Sequence, residues 1–278
     1  MSAATARRRH APSAFGDDLR RFWNLTLTLA TTDFKLKYFG SVLGYFWSLA
    51  RPLLFFGVLY VVFTQVVRFG DEVRFYPVYL LCMIVLWTFF LETTNGCVQC
   101  LMAREGLLRK IRFPRLVIPL AIALTALFNL AMNFLAVIAF ALLSGVSIRW
   151  AWLQLIPLIA LLATFALGIG MLLSVLYVRF RDIQPIWEVV GQILFYGSPI
   201  LYTAGQYEQF EHAVVTINPL AAIFTQIHRA FIDPFAPGTI TATGGGLRFL
   251  VPIAIIAAFF ALGLWFFNRE APRIAENL

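Results

Sequence analysis

Six apolar stretches dominate this sequence, and their length restricts the fold more than any other feature. They run over about 45–67, 76–101, 116–144, 152–178, 184–202 and 247–268. A helix crosses the hydrocarbon core of a bilayer in about 20 residues, and each stretch is close to or above that length. The third is long enough to need tilt, or a break near Pro119. Composition agrees: 60% of the 278 residues are hydrophobic and only 13% are charged. A soluble domain is about half apolar and about a quarter charged, so a water-soluble chain of this size could not hide the excess. No Gly/Ser- or Pro-rich linker separates the stretches. The expected fold is therefore one all-α integral membrane bundle of six transmembrane helices.

The basic residues orient that bundle. The formal net charge is +8, but the charges lie between apolar spans, which points to topology and lipid-surface contact and away from nucleic acid. With the N-terminus inside, the inner segments 1–51, 102–115, 179–183 and 269–278 carry 8, 5, 2 and 2 Lys/Arg. The outer segments carry only Arg68, Arg74, Arg149, Arg229 and Arg248. This asymmetry, with an even number of spans, places both termini in the cytoplasm. Residues 1–16 are polar and expected to be disordered; Arg7-Arg8-Arg9 precedes no short apolar core or cleavage site, so no cleaved signal peptide is expected.

Two regions do not read as simple hairpins. Across 17–44, Leu19, Phe22, Trp23, Leu29 and Ala30 recur at helical spacing, with Arg20, Arg21, Asn24 and Thr31 between them. That is the pattern of an amphipathic helix lying in the membrane interface. The alternation Leu25, Leu27, Leu29 suits a strand equally well. Residues 203–246 end in Gly244-Gly245-Gly246 and contain Pro219–Ile232, which is too short and too polar to span. It reads as outward-facing or re-entrant helices packed on the bundle, or as an ordinary interfacial loop helix.

No catalytic constellation accompanies the spans. There is no phosphate-binding G-x-x-x-x-G-K-[ST], no H-E-x-x-H and no G-x-S-x-G. His10, His212 and His228 are scattered over loops. Cys97 and Cys100 have C-x-x-C spacing, but neither a second pair nor a nearby His completes a metal site, and with Cys82 they read as small packing residues. No catalytic residue, metal or cofactor is expected on this chain, so work against a gradient draws on a partner or an ion gradient.

Some polar and aromatic residues allow a functional reading beside a structural one. Glu92 and Glu188 fall inside spans, where an ionised, unpaired carboxylate costs a few kcal/mol. Glu188 is close enough to the inner boundary for solvation or an inner Arg to account for it. Glu92 lies deeper and is the candidate for a polar path. The inner loop Met102–Arg115, MAREGLLRKIRFPR, carries Leu107, Leu108 and Ile111 at helical spacing. It is either a topology loop or a small helix that docks on a soluble partner. Tyr45, Phe46 and Trp47, like Trp150 and Trp152, sit at span ends, where interfacial anchoring explains them. A conduit whose aromatic faces meet sugar C–H groups explains them as well. Gly168 and Gly170, with Ala163 and Ala166, read as close helix packing.

Four blocks in order carry a family resemblance: DFKLKYFGSVLGYFWSLARPLL (Asp33–Leu54), REGLLRKIRFPRLVIPL (Arg104–Leu120), RDIQPIWEVVGQILFYGSPILY (Arg181–Tyr202) and INPLAAIFTQIHRAF (Ile217–Phe231). Together they resemble the permease subunit of export-type ABC transporters, in the branch that moves O-antigen, teichoic acid and capsule polysaccharides. The likeness runs from about Leu19 to Phe267. It implies an interface helix at 17–44, a coupling segment within 102–115 that engages a separate ATPase, and gate helices within 203–246. Glu105, Leu108, Arg109 and Lys110 are then the coupling candidates, and Ser198, Pro199, Asn218 and Pro219 flank the outer gate.

The resemblance also implies two permeases with two ATPase subunits in a bacterial cytoplasmic membrane, ATP and Mg being bound by the partner. A polyprenol-linked glycan would pass between the permeases through an aromatic-lined channel, for which Tyr45, Trp47, Trp187, Tyr202 and Glu92 are candidates. Export of a small amphipathic compound, such as an antibiotic, is the alternative within transport. A membrane-embedded glycan-processing enzyme would show clustered acidic residues on a loop, and an ion-coupled carrier an intramembrane charge network; the sequence has neither.

Overall fold

A computed structural model of the chain describes residues 19–38, 44–66, 73–104, 106, 114–203 and 208–277, and among these there is no strand. The chain opens with α1 (Leu19–Tyr38) and α2 (Gly44–Val61), which widens into a π-helical turn at Val62–Val66. Next come α3 (Tyr76–Val98), a single turn α4 (Cys100–Ala103) and α5 (Val117–Leu143). A 3-10 turn at Trp150–Gln154 leads into α6 (Leu155–Arg179), and α7 follows at Ile183–Tyr196. The last part holds α8 (Glu208–Ile217), α9 (Pro219–Ile227) running into a π-helical turn at His228–Ile232, α10 (Thr239–Ala242) and α11 (Leu250–Asn277).

Among the described residues, five helices are long and apolar enough to cross a membrane: Phe46–Val66, Tyr76–Val98, Val117–Leu143, Trp150–Arg179 and Leu250–Glu270. The stretch 184–202 folds differently. Its helix, α7, has 14 residues and so reaches only about 21 Å, against a hydrocarbon core of about 30 Å. Pro199 disfavours helical backbone at Ser198, so α7 stops at Gly197 and residues 198–202 turn back. Pro119 makes no break, because it is the third residue of α5, where a backbone N–H has no partner within the helix to lose.

In α1 the helical spacing prevails over the Leu alternation. Phe22, Thr26, Ala30 and Tyr38 share one buried face, which lies along α5. At the centre of the bundle, α3 packs on α2, α5, α6 and α7. Its threonines are satisfied by their own helix: Thr88, Thr93 and Thr94 donate to the carbonyls of Ile84, Phe89 and Phe90 at 2.8, 2.9 and 3.0 Å. The broadest helix pairing is α6 with α11. There a Cβ on Gly263 would lie 2.3 Å from the Gly168 carbonyl oxygen, and one on Gly168 would lie 2.7 Å from the Phe260 nitrogen. Gly170 faces the other way, where a Cβ would meet Cys97 Cβ at 2.8 Å. Two glycines two residues apart thus admit two neighbours on opposite sides of α6. Gly244, Gly245 and Gly246 are all left-handed (φ 82°, 79° and 63°), a run only glycine adopts cheaply, and they turn the chain into α11.

Candidate functional site

Polar side chains collect in three places on this scaffold. The first is the junction of α1, α3 and α5. Lys37 on α1 forms an ion pair with Glu92 on α3. Asn129 on α5 donates to the same Glu92 oxygen at 2.5 Å and accepts from the Tyr38 hydroxyl at 2.6 Å, so three helices share one polar cluster. One turn earlier on α1, Asp33 pairs with Arg104 at the end of α4. A further turn back, the Ala30 carbonyl accepts from Thr125 at 3.2 Å. A cleft of about 250 Å³ opens among Asp33, Lys37, Glu92, Gly96, Ile122 and Thr125. Glu92 is therefore charge-neutralised locally. The Lys37 and Glu92 side chains are each partly covered, and the pair ties the end of α1 to the middle of α3.

The second place is the outward face of α7. Gln184, Glu188 and Gln192 follow at intervals of four, with Tyr196 one turn further, so they form one stripe. Gln184 is half-buried and the other three are exposed. Gln184 hydrogen-bonds Gln99 and reaches Glu188 at 3.4 Å. Trp187 turns inward beside the stripe: it is buried, and its indole N–H donates to Thr94 at 3.2 Å. Beside this stripe stands α2, joined to α7 through the Phe55 and Phe195 rings 6.0 Å apart, with Phe46 and Trp47 exposed.

The third place is the turn after α7, held from two sides. From α3, the Tyr79 hydroxyl is shared between the Pro199 and Tyr202 carbonyls, and the Tyr76 hydroxyl donates to the Leu201 carbonyl at 2.9 Å. From the other side, the Asn218 amide donates to Ser198 Oγ at 2.9 Å and to the Gly197 carbonyl at 3.1 Å. Its Oδ1 caps α9 by accepting from the Leu220 N–H at 3.0 Å, with Pro219 at the first helical position. His228 meets the Tyr79 ring edge-on at 4.7 Å. Burial pushes its imidazole down to about 4 against the opposing pull of Asp233, so the ring is neutral at pH 7.

Residues 24–232 match the family model described as ABC-2 type transporter. The chain belongs to that family. As a multi-pass ABC-2 membrane component it also resembles curated relatives along nearly its whole length. Two proteins named O-antigen export system permease protein RfbA, both from Klebsiella pneumoniae, are 28% and 29% identical to it. Each alignment covers 94% of this chain and 97% of the relative. The polysialic acid transport protein KpsM of Escherichia coli is 23% identical over 86% of this chain and 91% of its own length.

The residues singled out from sequence thus fall into separate groups within this ABC-2 component. Ser198, Pro199, Asn218 and Pro219 come together at the turn after α7. Glu92 belongs to the α1 junction, Trp187 to the core, and Tyr202 to the turn after α7 through its carbonyl. Trp47 is exposed on α2, and Tyr45 starts that helix with its backbone alone described. Glu105, Leu108, Arg109 and Lys110, like residues 1–16, lie outside the described residues. Sequence reasoning missed Tyr76, Tyr79 and Asn129. Polar tips within an apolar run were the available signal, since a buried Tyr or Asn needs a partner.

Proposed function

We propose that this chain is the permease subunit of an ATP-driven exporter that carries a polyprenol-linked polysaccharide across the bacterial cytoplasmic membrane. Near full-length likeness to O-antigen export permeases carries the reading. The permease works as a homodimer with two ATPase subunits, which hold the ATP and Mg. Both termini face the cytoplasm, with the short helix α7 standing in place of a sixth full-length span. The helix α1 lies in the inner interface, and α8 to α10 with the turn at 197–202 form the outer gate. Segment 102–115 engages the ATPase, with Glu105, Leu108, Arg109 and Lys110 at the contact.

The α7 stripe supports a hydrated path between two copies. Glu188 and Gln192 face outward from a single copy within an otherwise apolar stretch, and polar side chains turned toward lipid are unfavourable. Apposing two such faces, flanked by Trp47 of α2, gives a polar and aromatic lining suited to sugar. The test is to purify the tagged chain from its native membrane and assay the eluate for ATP hydrolysis and co-purifying glycolipid. A stoichiometric ATPase with a lipid-linked glycan supports the reading; a clean chain without an ATPase overturns it. Arg109→Glu with Lys110→Glu is expected to lower ATPase recovery without loss of membrane insertion. Full recovery and normal export would remove the coupling assignment.

A further inference from the structure

We infer that the seam between α9 with its π-helical turn and the 3-10 turn ahead of α6 binds an ordered internal water, held by Arg149, Trp152, Thr225 and His228. Five buried side-chain polar atoms among the described residues have no hydrogen-bond partner, and four of them belong to this seam: Arg149 Nε, Trp152 Nε1, Thr225 Oγ1 and His228 Nε2. Thr225 and His228 are only 4% and 6% exposed, too covered for bulk solvent to serve them. A polar atom loses its bonds to water on burial, so nearly all regain a partner, and internal water supplies those that protein groups do not reach.

The four atoms come from apposed elements. Thr225 and His228 stand three residues apart, on one face of α9. The 3-10 turn packs on the π-helical turn. There the Trp152 ring meets the Phe231 ring at 4.7 Å, and Arg149 Nη2 donates to the Ile232 carbonyl at 3.0 Å. Gln226 Nε2 donates to Gln154 Oε1 at 3.0 Å, so direct bonds pin the seam at two points.

The donor set selects the ligand. Arg149 and Trp152 offer N–H groups, and Thr225 Oγ1 has lone pairs to accept with. His228 is neutral, because burial outweighs the pull of Asp233, so its Nε2 accepts in the tautomer that carries the proton on Nδ1. Water has two lone pairs for the N–H groups and two hydrogens for the acceptors. An anion would satisfy the N–H groups but face the His228 acceptor and the Asp233 carboxylate near it. A cation would face the Arg149 guanidinium. The site belongs to the fold and stands whether or not the chain exports a glycan.

The test is X-ray hydroxyl-radical footprinting of the intact chain in lipid, in which radicals made from bound water label the side chain beside it. Trp87, 5% exposed and set against Phe90 and Phe195, is the dry reference. After correction for intrinsic reactivity, His228 is expected to label severalfold faster than Trp87; equal protection of the two overturns the site. Thr225→Val then reads the sign of the hydroxyl's contribution. With water in place, the isosteric valine removes a hydrogen bond and should lower Tm by about 2–4 °C. A dry hydroxyl would give an unchanged or higher Tm, because the variant relieves an unmet polar atom, and that result also overturns the site. If the valine variant does not insert, the wild-type footprint decides alone.

Discussion

α2 and α3 look alike as sequence and lie in opposite surroundings. Their spans have 21 and 23 residues and similar apolarity, yet 11% of the most apolar window is buried in the first and 78% in the second. Lipid is as apolar as a helix interior, so within a membrane hydrophobicity does not decide which helix is central. Small and hydrogen-bonding side chains do. α3 carries Gly96, Cys97, three threonines bonded to their own helix, and Tyr76 and Tyr79 at its N-terminal end. α2 presents Phe46, Leu54 and Val58 outward, and a Cβ on Gly57 would meet nothing within 4 Å.

The most severe way to test this contrast is to truncate matched aromatics. Phe90 on α3 is fully buried among Trp87, Phe165 and Trp187. Phe90→Ala is expected to destabilise by about 4 kcal/mol, through the cavity and lost dispersion contacts. Phe46→Ala on α2, where the side chain is 60% exposed, should stay within about 0.5 kcal/mol. Thermal unfolding in detergent separates the two; equal losses would erase the distinction between the helices.

A pH scan probes the N-terminal end of α3 with a slightly smaller effect. The folded state holds His228 at about 4, below its ordinary 6.5, so it binds fewer protons than the unfolded chain. The contribution is fully present above pH 6.5 and is lost as pH falls toward 4, amounting to about 3 kcal/mol across that window. His228→Phe should flatten this part of the stability profile, and an unchanged acid limb would show that another group controls it. Smaller again is Tyr79→Phe, which strips the donor from two carbonyls of the turn after α7 and should cost about 1–3 kcal/mol. Thiol labelling of a Ser198→Cys background reads the turn directly: faster labelling without Tyr79's hydroxyl is expected, and an unchanged rate would remove the clamp.

These expectations also mark how far the sequence was legible. Segment length marked the five long spans and, with them, the stretch that folds as the 14-residue α7, because length is a one-dimensional property. The small residues of α6 were legible as packing residues, but their partners, Gly263 on α11 and Cys97 on α3, were not. Glu92 stood out as an intramembrane carboxylate, whereas its neutralisation by Lys37 joins residues 55 apart in the chain. Likewise Trp187 read as a channel aromatic, although its position on α7 turns it into the core while Glu188, the next residue, faces out. One helical step of 100° separates the two fates, and only the packing of α7 on α3 decides which residue takes which.

The smallest expected effect on stability is the one that most sharpens the comparison. If α2's open face merely touches lipid, replacing Trp47, 54% exposed, exchanges one apolar surface for another, and both abundance and export should survive. If the face lines a path between two copies, Trp47→Ala leaves abundance within about 0.5 kcal/mol of wild type in stability but removes a platform for sugar, so export should fall. Glu188→Leu with Gln192→Leu extends the test to the neighbouring stripe. Lipid exposure would make that change stabilising, since a carboxylate leaves the membrane, whereas a hydrated path would make it neutral for folding and harmful for export. Surface glycan measured against permease abundance separates the cases. Loss of export at constant abundance in both variants would mean that α2 is open in one copy because its counterpart is the second copy and the cargo between them.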